Sequence, residues 1–140
     1  MPGKVSHHSA LIYVMVMISA VDRRMSDREL GRIGSIIRNL PVFEDFAQDR
    51  LISAAQECAD ILDNDEGLET VLGLIANALP HQLYETAYAL GVEVAASDAS
   101  VTPEEAKLLQ MLRNRLGLDR LTTVAIERAA RARHLRLESI

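Results

Sequence analysis

An internal repeat runs through this sequence and narrows the folds open to it. Ser19 to Glu29 aligns with Ala95 to Glu105 at a constant offset of 76, and Asp22 falls on Asp98, Ser26 on Thr102 and Glu29 on Glu105. The register continues beyond these segments: Ile33 falls on Leu109, Ile36 on Leu112 and Leu40 on Leu116. A repeat of that span predicts two pseudo-related helical hairpins, residues 7–40 and 83–116.

The apolar spacing around the repeat is that of helices, with almost no β-type alternation. Leu30, Ile33, Ile37 and Leu40 stand three or four apart, which leaves Arg28, Arg32 and Arg38 for solvent. Ala10 to Ile18 is apolar without interruption. Such a stretch is too short to span a bilayer and predicts a first helix, about 7–22, buried on every side. Further helices are expected at about 27–39, 44–63, 66–78, 81–97, 103–116 and 119–134, with Pro41 closing the second and Pro103 and Gly117 bracketing the sixth. Gly31 and Gly34 weaken the second helix unless another helix comes close there. The chain has no Pro-, Gly- or Ser-rich linker, so residues 1–140 read as one all-α domain of about seven helices, the two hairpins packed around the buried first helix.

At 140 residues, 49% hydrophobic and 25% charged, the chain can bury a core without disulfides, and its single Cys58 permits none internally. That cysteine usage fits a cytoplasmic setting. A net charge of −5 gives no general attraction to nucleic acid or anionic lipid, and neither nucleic-acid binding nor membrane insertion is expected. Charge is unevenly placed. Residues 41–105 hold one base and fourteen acids, whereas residues 106–140 hold eight bases and three acids. The glycine spacings exclude both a dinucleotide-binding fingerprint and a phosphate-binding P-loop.

Each repeat encodes a capping box, since Ser26 or Thr102 is followed three residues later by Glu29 or Glu105. Capping accounts for the hydroxyl and the glutamate. It does not account for Asp22 or Asp98, four positions before the cap, where the negative end of the preceding helix disfavours a carboxylate unless a cation compensates. The turn Asp63-Asn64-Asp65-Glu66-Gly67 is acidic as well, but alignment to an EF-hand loop puts Leu62 and Gly73 at its obligatory ligand positions. It reads as a turn and helix start.

The pattern Asp-x-x-[Met/Val]-[Ser/Thr]-x-x-Glu, present twice in a helical chain of this length, resembles the tellurite-resistance TerB family. The likeness is strongest from Ser97 to Glu105, with Leu108-Leu109 and Leu116-Gly117-Leu118 following. The resemblance implies an all-α fold of two related halves, a bacterial stress-response role rather than catalysis, and acidic residues that bind a divalent cation. Carried onto this chain, those metal-binding residues are Asp22, Glu29, Asp98 and Glu105. Their all-oxygen donor set suits Ca²⁺ or Mg²⁺. Family members commonly have Gly after the Asp, where this chain has Arg23 and Ala99. The expected function is thus a non-enzymatic stress-response module that binds a divalent cation through the repeat carboxylates. The alternative is an acidic helical module that docks a protein partner, basic or membrane-associated in character, with no bound ion.

Overall fold

The computed structural model describes residues 5–20, 26–97 and 101–137. Seven α-helices occur among them: α1 (His7–Ser19), α2 (Asp27–Arg38), α3 (Leu51–Leu62), α4 (Gly67–Ala78), α5 (Tyr84–Ala96), α6 (Pro103–Leu116) and α7 (Arg120–Arg133). Short 3₁₀ turns at Pro41–Phe43, Gln48–Arg50 and His81–Leu83 connect them. No strand is present among the described residues, so the fold is all-α, as the periodicity predicts.

Helix α1 is the axis of the core. Every side chain from Ala10 to Ile18 is buried, because α3, α4 and α5 all pack against it and α2 and α6 touch it more lightly. A helix apolar on all sides is stable only where neighbours cover all sides, and burying each of its larger side chains contributes about 1.5–3 kcal/mol. Helix α7 lies further out and packs on α5.

The 76-residue offset is retained at the helix starts that matter most. Helix α2 begins at Asp27 and α6 at Pro103, whereas α1 and α5 begin at His7 and Tyr84, one residue out of register. Packing distinguishes the halves. Helix α5 contacts α6 more extensively than α1 contacts α2, since the α1 surface is already taken by α3 and α4.

Two expected helices are shorter than their apolar patterns. The stretch expected to be helical from about 44 starts its α-helix only at Leu51, after the 3₁₀ turns. Phe43 and Phe46 explain the early bend: they pack edge to face, and the His8 ring lies against both. The fifth helix is preceded by a 3₁₀ turn that follows Pro80, whose fixed φ and missing N–H suit a turn before a helix.

The two glycines of α2 have different surroundings. A Cβ on Gly31 would meet nothing within 4 Å, while one on Gly34 would sit 3.4 Å from Leu51 Cδ2. Close helix approach therefore accounts for Gly34, and Gly31 is only a weak helical position. In the acidic turn, Glu66 takes a left-handed conformation with φ 62°. A Cβ on the next residue, Gly67, would fall 2.2 Å from the Ile61 carbonyl oxygen. The end of α3 and the start of α4 are thus pressed together in a way that admits no side chain at Gly67.

Candidate functional site

The two repeat junctions place their glutamates by the same local chemistry. Ser26 and Thr102 adopt extended backbone conformations just before α2 and α6, as N-cap residues do. The Ser26 hydroxyl accepts from the Glu29 N–H at 3.2 Å, and Glu29 Oε1 accepts from the Ser26 N–H at 3.0 Å. Thr102 accepts from the Glu105 N–H at 3.1 Å, and Glu105 Oε1 accepts from the Thr102 N–H at 3.0 Å. Both capping boxes are therefore complete, and each holds its carboxylate at the positive end of a helix.

Burial separates the two glutamates. Glu105 is only 7% exposed, whereas Glu29 is half-buried. Their expected companions Asp22 and Asp98 lie outside the described residues. Among the described residues, no group of three or more His, Cys, Asp or Glu side chains could hold a metal ion. Glu29 and Glu105 thus supply hard oxygen donors, the correct chemistry for Ca²⁺ or Mg²⁺, but each also commits an oxygen to its own helix cap. An ion held by the repeat requires Asp22 or Asp98 to complete the donor set.

The two halves meet at one of these junctions. Arg32, on α2 of the first repeat, donates from Nη1 to Ser97 Oγ at 2.8 Å, and the Ser97 hydroxyl donates to the Val94 carbonyl at 2.7 Å. Ser97 directly precedes Asp98. A guanidinium of the first repeat is therefore held at the residue that precedes Asp98 in sequence, by a hydrogen bond that spans 65 residues.

Three other polar clusters lie away from the two repeat junctions, and periodicity alone does not single them out. His8 Nε2 stands 2.9 Å from the Val42 carbonyl and 3.2 Å from Asp45 Oδ1. Tyr88, fully buried on α5, donates its hydroxyl to Glu127 on α7 and accepts from Arg113 on α6 at 3.2 Å. Burial and the Glu127 hydrogen bond push the Tyr88 phenol up to about 12. Glu93 on α5 accepts from Arg133 and from His134 Nε2, the latter at 2.6 Å. Burial pushes the Glu93 carboxyl upward, but these hydrogen bonds outweigh it and hold the carboxyl below its ordinary value. The one available signal was a polar residue on a buried helix face, as at Tyr88. The partner could not be named, because it lies on another helix.

Neither Tyr13 nor Cys58 provides a reactive group. Burial, together with Glu57, which accepts from the Tyr13 hydroxyl at 3.3 Å, pushes Tyr13 up to about 12. Burial alone pushes the Cys58 thiol up to about 12. Cys58 behaves as a core residue, its thiol 3.8 Å from the Tyr13 carbonyl.

A family model described as tellurite resistance protein TerB matches residues 8–128. No curated protein and no solved structure matches the chain. The matched span takes in both capping boxes, α1 from its second residue, all of α2 to α6, and α7 through Arg128.

Proposed function

The chain belongs to the tellurite resistance protein TerB family, and from that premise we propose that it is a bacterial stress-response module that works by binding rather than by catalysis. Its ligand in this reading is a divalent cation, Ca²⁺ or Mg²⁺, held by Asp98 and Glu105 with Asp22 or Glu29. The observation that carries the reading is the doubled junction: two complete capping boxes place a glutamate at equivalent helix starts, each seven residues after an aspartate that capping does not explain. An ion held in this way would offset the repulsion among its own carboxylate ligands. The Arg32–Ser97 hydrogen bond gives such binding a consequence, because a charge change beside Ser97 bears on α2 of the other repeat.

Thermal unfolding tests this. An ion bound only by the native state, at one hundred times its dissociation constant, adds about 2.7 kcal/mol. Millimolar Ca²⁺ or Mg²⁺ should raise the Tm of the wild type, and Asp98→Asn should abolish the shift. Asp63→Asn, in the acidic turn, should leave it intact. Equal shifts in wild type and Asp98→Asn would place the ion elsewhere.

A second reading has its own support. Asp49, in the 3₁₀ turn before α3, and Asp60, Asp63, Asp65 and Glu66, along α3 and the turn after it, are all exposed, a surface suited to a basic protein partner with no ion involved. Absence of any cation effect on the wild type would favour it.

A further inference from the structure

The outward face of α7 is built unlike a solvated helix surface. Leu121 is 82% exposed and Val124 40% exposed. Arg120, Arg128 and Arg131 are exposed on the same side, and none of the three is in an ion pair among the described residues. The single acid within the helix, Glu127, is turned toward Tyr88. The result is a predominantly cationic face with an apolar strip, its acids confined to Asp119 at the N-cap and the half-buried Glu127.

A complementary face exists on α3. Ile52 is 66% exposed, and Asp49, Gln56, Asp60 and Asp63 are exposed around it, at positions three, four, eight and eleven residues away. Asp49 and Asp60 are separated by the same number of residues as Arg120 and Arg131. Helix α3 packs on α1 and α4, while α7 packs on α5. The acidic and basic faces therefore belong to different flanks of the molecule and are not placed to satisfy one another within it.

We propose that the α7 face docks on the α3 face of a second copy of this chain, in a head-to-tail contact that seats Leu121 and Val124 beside Ile52 between flanking Arg–Asp pairs. A heterologous contact of this kind leaves one free face at each end and can add further copies. Charge complementarity selects the occupant. An anionic lipid surface would attract α7, but it would repel the acidic flank and the molecule's net charge of −5. A contact between two single helices is small and largely ionic, so it is weak and salt-sensitive.

Sedimentation velocity on the full chain tests the proposal. Wild type should show concentration-dependent association in about 0.02 M salt that weakens about tenfold or more in about 0.5 M salt. A triple variant of the basic face, Leu121→Ser with Arg128→Gln and Arg131→Gln, should be monomeric under the same conditions. So should Ile52→Ser with Asp60→Asn on the acidic face. All five positions are exposed, and unchanged melting temperatures would show that both variants fold. An equimolar mixture of the two variants retains one intact face of each kind and should form a pair that stops at two copies. A wild type that stays monomeric in low salt overturns the proposal, as does association that survives loss of the α7 face or a mixture that does not pair. Monomeric wild type that cosediments with phosphatidylglycerol vesicles through α7 would overturn it in favour of lipid.

Discussion

Arg32 and Ser97, 65 positions apart, are joined by a 2.8 Å hydrogen bond from guanidinium to hydroxyl. This contact ties α2 of the first repeat to the end of α5, at the residue before Asp98. A double-mutant cycle of Arg32→Ala and Ser97→Ala, read by denaturant unfolding, should give a coupling energy of about 0.5–1.5 kcal/mol. Strict additivity would show that the two helices are not linked through this pair.

The capping boxes make a stability prediction independent of any ion. Ser26→Ala and Thr102→Ala should each cost about 0.5–2 kcal/mol, because the first-turn N–H groups lose their side-chain acceptor. Thr102 should cost the more, since its partner Glu105 is buried and Glu29 is only half-buried. Unchanged denaturant midpoints for both variants would contradict the cap geometry.

Gly67→Ala should destabilise by more than the few tenths of a kcal/mol of an ordinary surface substitution. The new methyl would be forced to within 2.2 Å of the Ile61 carbonyl, backbone that cannot yield like a flexible side chain. Gly31→Ala, with open space around it, should stabilise α2 by up to about 1 kcal/mol. Equal effects at the two positions would mean that the α3–α4 turn has room for a methyl group.

Glu93 gives α7 a pH-dependent attachment. Its carboxyl is held below the ordinary value by Arg133 and His134, so folding favours the ionised form. The stability this contributes is fully present above the unfolded carboxyl pKa, near 4.3, and is lost as pH falls through the lower folded value. Glu93→Gln should therefore be less stable than wild type at neutral pH, and the gap should close in acid. A gap that stays constant from pH 7 to pH 2 would exclude this linkage.

The residues that carried the fold in the sequence were those whose partners are local or whose burial is complete. Ala10 to Ile18 could be read as a wrapped helix because no polar side interrupts it, and the caps could be read because both bonds of each box lie within four residues. The late start of α3 could not be read, since it depends on His8, Phe43 and Phe46 meeting across a gap of more than thirty residues. The Tyr88–Glu127 and Glu93–His134 contacts were hidden for the same reason: pattern reveals which face is buried, but not which helix covers it. Of the four candidate cation ligands, Glu29 and Glu105 stand where the spacing put them, and Asp22 and Asp98 lie outside the described residues.

In the proposed function the repeat carboxylates bind a divalent cation. Isothermal titration of Ca²⁺, and separately Mg²⁺, into the metal-free full chain measures this most directly. Saturable heat is expected in wild type, lost in Asp98→Asn and in Glu105→Gln and retained in Asp63→Asn. Wild type that gives no heat with either ion at millimolar concentration would contradict it, and would leave Glu29 and Glu105 as helix caps alone.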